Sequence, residues 1–417
     1  MTAQATPIPH PSEENSGPGA QLGKTRLGEN DDFSLILGGP LYQLFCRAHL
    51  CGKVLEQLHR RVLVICGVAW LPLLLFSLLE GNAWGSAIKV PFLADIEIYA
   101  RFLVGMPLLV LAELVIHERM RPVVNQFLER DLVPESARGQ FQAAIDSAMR
   151  LRNSVRAEIC LIAIVYVLGI FLAQRGETVP DGGSWHGSFL PGGFHPTLAG
   201  WWFRCVSLPL LQFLLLRWYY RVFIWFRFLW QISRLNLKLM PTHPDRSAGL
   251  SFLTMISYAF TPLLFAQGAL VAGVIADQIF FNGAKLPQFK VEIGALVFIS
   301  VLMVMGPLLA FVRPLAVIKR RALREYGALA QRYVREFDQK WVHGSAQPGE
   351  NLLGSSDIQS LADLGNSYEI VTQIKLVPFT MRALARLVIA ALIPISPLIL
   401  TMIPAEELAQ RVLKMLF

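Results

Sequence analysis

Glu113 and His117 stand four residues apart in an apolar run, so a helix carries both on one face. A carboxylate inside a membrane-length helix is costly and usually turns toward a bundle interior or a water-filled path. The pair could therefore relay a proton or hold a cation. The plainer expectation is that Glu113, about one turn from the end of its run, reaches headgroup water. Gln267 is better centred in its own run and could face the same path, although adhesion between helices is the commoner role for such an amide. Arg204, Asp277 and Glu292 fall near the ends of apolar runs and read as interface residues or an ion pair.

A second constellation is basic and aromatic. Arg217, Arg221, Arg227 and Arg234 recur at intervals of four, six and seven, unlike the every-third-residue spacing of a voltage sensor. Tryptophan at 225 and 230 interleaves with them. Arginine stems can lie along lipid while the charge reaches water, and indole rings favour the headgroup zone. Arg217, Arg221, Arg227, Trp225 and Trp230 are accordingly expected at anionic headgroups or in salt bridges to soluble helices. The polar turn from Thr242 to Leu250 follows. There Pro244 stops a helix, Asp245 can cap the next one, and Gly249 lets the backbone approach a neighbour. His243, Asp245 and Arg246 could also form a polar cluster at an inner mouth.

Catalytic patterns are weak. His117-Glu118-Arg119-Met120 lacks the second histidine of a zinc-protease helix, and Gly17–Thr25 misplaces a glycine of a phosphate-binding loop. His186 and His195 lie nine residues apart in a glycine-rich loop, a poor metal spacing. The sequence carries neither Gly-x-Ser-x-Gly nor a dinucleotide fingerprint. No enzyme, no cofactor and no resident metal are expected.

The elements that must position these residues are those of a membrane protein. The 417 residues are 54% hydrophobic and 16% charged, against about a quarter charged in soluble proteins. The net charge of +8 fits basic loops facing anionic lipid better than it fits nucleic acid. The five cysteines lie in or beside apolar runs or in the basic N-terminal region, so free thiols are expected. Residues 1–31 read as a disordered tail and 32–61 as an amphipathic segment on the membrane surface. Spans are predicted near 62–80, 99–117, 157–174, 200–220, 251–276 and 291–313. Residues 385–403, interrupted by Pro394 and Pro397, form a seventh span or a re-entrant hairpin, and an amphipathic tail follows. The charged stretch 118–156 is predicted to run unbroken from Pro134 into the third span. The largest soluble piece is 314–384, two amphipathic helices on either side of a flexible linker. Ser356-Asp357-Ile358-Gln359 opens the second as a capping box. The fold class is therefore all-α, a polytopic helix bundle of six or seven spans with a soluble helical layer.

Charge sets the expected orientation. Segments 1–61, 117–156, 217–250 and 313–386 hold 30 of the 38 lysines and arginines, whereas loops 81–98, 175–199 and 281–291 hold four. The positive-inside rule then puts the N-terminus in the cytoplasm.

The segments Pro241–Leu250 and Ser356–Leu364, together with the closing Pro394–Pro404 run, resemble stretches of an uncharacterised family of proteobacterial polytopic inner-membrane proteins. Two adjacent glycines would follow Asp245-Arg246 in that pattern, and Ala248-Gly249 stands there instead. The resemblance implies a bacterial inner membrane and no mechanism. Two functional readings follow. The favoured one, on the frequency of transport roles among polytopic proteins without catalytic motifs, is a transporter or channel for an ion or small solute with Glu113, His117 and Gln267 along its path. The other is a non-catalytic scaffold or sensor whose soluble helices engage a protein partner or a second copy of the chain.

Overall fold

The computed structural model describes residues 33–36, 38–39, 43, 58–85, 88–174, 183–190, 193–347 and 349–402. The expectations for the 1–31 tail, for most of segment 32–61 and for the amphipathic C-terminal tail lie outside the described residues.

In chain order the helices are α1 (Leu58–Leu79), α2 (Ile96–Glu129), α3 (Glu135–Arg152), α4 (Val155–Gln174), α5 (Leu198–Ile232), a short α6 (Met255–Ala259), α7 (Thr261–Asn282), α8 (Leu286–Val342), α9 (Ser356–Thr372) and α10 (Met381–Met402). A small antiparallel hairpin, β1 (Gly187–Leu190) with β2 (Gly193–Pro196), joins α4 to α5. Helices α1, α2, α5, α7, α8 and α10 are each long and apolar enough to cross a membrane, and the bent pair α3–α4 adds a seventh if the two are counted as one broken span. The fold is an all-α membrane bundle.

Several prolines fall where helices change winding, whereas Pro72 and Pro122 lie within regular α-helix. Pro107 and Pro209 each follow a π-helical turn, at Ala100–Gly105 in α2 and Phe203–Ser207 in α5. Pro307 opens a 3₁₀ turn, Gly306–Phe311, inside α8. Pro394 and Pro397 lie in the 3₁₀ half of α10. Each proline at a change of winding lacks an N–H and crowds the carbonyl four residues back, and the altered winding absorbs both effects.

Three local expectations need correction. Residues 134–174 do not form one helix: α3 and α4 meet at 45°. Asn153 ends α3, and the Ser154 hydroxyl accepts the Ala157 N–H at 3.3 Å, so the polar pair stops one helix and starts the next. Helix α3 consequently packs along the later half of α5. The fifth span begins at Thr261-Pro262, because residues 251–259 form separate short turns. The capping box is also absent. Ser355 occupies the N-cap of α9, Gln359 bonds Asp363, and the Asp357 carboxylate accepts Lys340 Nζ at 2.9 Å and Trp341 Nε1 at 3.0 Å. Those donors hold the Asp357 carboxyl below its ordinary range.

The end of the bundle where the basic segments gather has an aromatic core. Phe127 of α2 meets Phe252 at 5.1 Å and Phe141 of α3 at 6.0 Å, and Phe141 in turn meets Phe228 of α5. Helix α7 is central. It packs against α2, α8 and α10 through its small residues. Gly268 lies against the Ala391 backbone, and a Cβ at Gly273 would stand 2.6 Å from the Ala100 methyl. Gly294 on α8 faces open space. Gly273→Val should therefore cost about 1–3 kcal/mol through overpacking. Gly294→Ala should be neutral or stabilising by about 0.5–1 kcal/mol. Thermal unfolding of both variants in one detergent checks the contrast, and equal losses would contradict the close packing of α7.

Candidate functional site

Glu113 meets two arginines inside the bundle. Its Oε1 accepts Arg221 Nη1 at 2.8 Å and Arg217 Nη1 at 3.3 Å. Arg217 Nε also lies 3.6 Å from Glu158 Oε1 on α4. The two arginine side chains are 8% and 6% exposed, and the glutamates 13% and 12%. The two arginines and two glutamates therefore form one buried knot joining α2, α4 and α5. An interval of four residues puts Arg217 and Arg221 on one face of α5, and that face points inward. The indole of Trp218 flanks Arg221 and donates to the Leu109 carbonyl at 3.0 Å.

A piece of the N-terminal region closes over the knot. Phe33, Ser34, Leu35 and Ile36 are all buried. Phe33 packs on Trp225 and Phe228, the Ser34 hydroxyl pairs with His117 Nδ1 at 2.9 Å, and Arg152 donates to the Ser34 carbonyl. Gly38 and Gly39 have φ of +135° and +91°. A Cβ at Gly39 would stand 3.1 Å from the Arg152 carbonyl and 3.4 Å from Glu158 Oε1, so only glycine passes here without displacing the knot.

This geometry corrects the headgroup expectation for Arg217, Arg221 and Trp225, which are buried within the bundle. Carboxylates from α2 and α4 draw the arginines inward, and the indole of Trp225 fills the pocket around Phe33. Arg227 and Trp230 stay on the outer surface, Arg227 also reaching the Ser147 hydroxyl at 3.3 Å. Glu113 likewise pairs inside the bundle instead of reaching headgroup water.

Gln267 belongs elsewhere. It donates to the Tyr219 hydroxyl at 3.2 Å and accepts from Ser300 at 3.4 Å, bridging α5, α7 and α8. Tyr219 and Arg217 are two positions apart on α5, on nearly opposite sides of it. Glu113 and His117 therefore share one cluster, and Gln267 serves a different helix junction.

His243, Asp245 and Arg246 share a tight turn. The Asp245 carboxylate accepts the N–H groups of Ser247 (2.8 Å), Ser251 (3.0 Å) and Gly249 (3.1 Å). Burial opposes ionisation of Asp245, but these donors outweigh it and hold the carboxyl below its ordinary range. Arg246 contributes its backbone, whose carbonyl accepts the Lys375 N–H at 2.8 Å. Ala248 and Gly249 have φ of +53° and +94°, a region glycine enters without steric cost, so two glycines would suit this turn.

At the opposite end, carboxylates cap α2. Asp95 accepts the Ile98 N–H at 3.0 Å and Trp185 Nε1 at 2.7 Å, and Asp277 accepts the Ile96 N–H at 3.1 Å. Arg101 pairs with Glu97 one turn into the helix. His186 bonds Ser184, and His195 sits opposite Ser188 in the hairpin. No group of three or more metal-ligating side chains with metal-site geometry occurs among the described residues. No protein-family model, curated protein or solved structure matches the chain.

Sequence reading missed Ser34, Gly38, Gly39, Arg152 and Glu158. Glu158 carried a usable signal, since it is the one carboxylate in the apolar run from Val155 to Gln174.

Two outcomes follow. Glu113→Gln strands Arg221 without its partner and should cost about 3–5 kcal/mol, while Glu113→Met with Arg221→Met leaves the Arg217–Glu158 pair intact and should recover most of that loss. Thermal unfolding reads both, and equal losses would show that the charges do not act as a unit. For the turn, the folded carboxyl of Asp245 titrates below its unfolded value of 3.8. Its stabilisation is therefore complete above that value and lost as pH falls through the lower, folded one. Hydrogen exchange at Ser247, Gly249 and Ser251, corrected for intrinsic rates, should accelerate only below about pH 4.

Proposed function

We propose that the chain is a non-catalytic scaffold or sensor of a bacterial inner membrane, with its N-terminus in the cytoplasm and its output in the α8–α9 hairpin. The basic segments support that orientation, because they gather where α8 leaves the bundle. One observation carries the functional reading. Charged side chains within the bundle engage one another or helix ends, whereas α8 continues past the bundle with apolar surface uncovered.

The hairpin is built to project. From Arg313 to Val342, α8 extends for about 45 Å at 1.5 Å per residue. Helix α9 folds back along it, burying Ala322, Val371 and Ile374 between them. Lys319 Nζ reaches the Ile374 carbonyl at 2.8 Å, and the Tyr333 hydroxyl reaches the Asp357 carbonyl at 3.2 Å. Leu329, Val334, Val342 and Ile358 remain exposed. A soluble surface with that much uncovered aliphatic side chain favours a bound protein or a second copy.

The burial of Glu113 and Glu158 among arginines inside the bundle supports a second reading, an ion or small-solute pathway stoppered by segment 33–36. Two measurements separate them. A photo-crosslinking residue at Leu329 or Val334 in intact cells should give a discrete adduct under the scaffold reading. Proton and monovalent-cation flux in proteoliposomes should stay at background, equally for wild type and the Glu113→Met/Arg221→Met variant. A wild-type flux that the folded double variant lacks would replace the scaffold reading with the pathway.

A further inference from the structure

The face of α5 turned away from the ionic knot lines a groove shared with α8. Its volume is about 780 Å³, within the roughly 300–1,000 Å³ of ligand sites. Phe223, Phe226 and Trp230 form one wall, and Leu302, Leu309 and Ala310 line the other. The three rings and both leucines are exposed. A second hollow of about 610 Å³ continues from the first, sharing Ser233, Arg234 and Arg313 and adding Arg321. The combined groove is thus apolar along its length and cationic at one end.

That end has a definite level. Arg313 is the first charged residue of α8 after Glu292, and Arg234 lies two residues past the end of α5. Both stand where apolar helix gives way to polar chain, the headgroup zone of a bilayer. Arg234 stacks on Trp230 at 3.9 Å, leaving its N–H edge available. Arg321 is engaged by Glu325. No carboxylate lines either hollow among the described residues, and none pairs with Arg234 or Arg313 there.

We propose that this groove binds one anionic phospholipid of the leaflet at the basic end. An acyl chain lies along Phe223, Phe226 and Leu302, and the phosphate sits between Arg234 and Arg313. Charge complementarity selects this occupant. A soluble anion would leave the aromatic walls bare, and a zwitterionic lipid would add a cationic group near two arginines. The site is independent of the proposed scaffold role, because it lies on the opposite face of α5 from the knot and apart from the hairpin's exposed side chains.

Native mass spectrometry of the purified full chain tests it, with titration by phosphatidylglycerol and phosphatidylcholine of identical chains. Wild type should prefer phosphatidylglycerol, and Arg234→Gln with Arg313→Gln should cut that preference roughly thirtyfold, at about 1 kcal/mol per arginine, with the unfolding temperature unchanged. Ala310→Phe fills the apolar part and should weaken both lipids alike. Retained preference in the double arginine variant would overturn the proposal. So would a dimer that holds wild-type chains together through this face and dissociates on Ala310→Phe.

Discussion

The Glu113 carboxylate, held between Arg217 and Arg221, is the constraint from which the arrangement of the bundle follows. An ion within a lipid-depth bundle is tolerated only when its charge is answered at hydrogen-bonding distance. Answering it fixes the rotation of α5 against α2, since only one face of α5 carries both arginines. Glu158 then fixes α4 against the same face. Once α5 is so turned, Trp218, Trp225 and Phe228 must point inward, and Phe223, Phe226 and Trp230 must point out. One electrostatic requirement thereby sorts an aromatic-rich helix into a core side and a lipid side.

The bundle itself was legible in the sequence because hydropathy and charge asymmetry report directly on which segments lipid can accept. All seven apolar runs became helices. The rotation of α5 was not legible. Its aromatics and arginines interleave on every face, so periodicity alone cannot separate Trp225, which is buried, from Trp230, which is not. That choice depends on Glu113 and Glu158, carboxylates far away in the chain. The break between α3 and α4 rests on two small polar residues, Asn153 and Ser154, whose capping tendency is easily outweighed by a long helical pattern around them. Segment 33–36 was hidden for a different reason. Four residues carry no period, and their burial is set entirely by the cavity that α2, α3 and α5 leave over the knot.

Polar groups within the bundle occupy two levels along α2. At its start Asp95 and Asp277 meet the unsatisfied N–H groups and the positive end of the helix dipole, a placement that stabilises the helix end. At Glu113, eighteen residues after Asp95 and about 27 Å further on, no backbone donor is available, and side-chain cations must take that part. Between the levels lie Met106, Leu109 and Val110, all buried. Each level answers its charges locally.

The knot is also continuous, by contact, with the hairpin that projects from the bundle. The Leu132 carbonyl beyond α2 accepts the Lys238 N–H beyond α5 at 2.8 Å, joining the two helices that hold Glu113 and its arginines. The next turn hands its Arg246 carbonyl to Lys375, and Thr254 donates to the Pro378 carbonyl at 2.6 Å. Residues 374–378 are the return path from α9 to α10, anchored to α8 through Lys319. A shift of α2 against α5 would therefore act on the base of the hairpin through backbone hydrogen bonds, which are short and directional. Segment 33–36 touches His117, Arg152 and Phe228 yet belongs to none of the helices, so it ties α2, α3 and α5 together over the knot by direct contact.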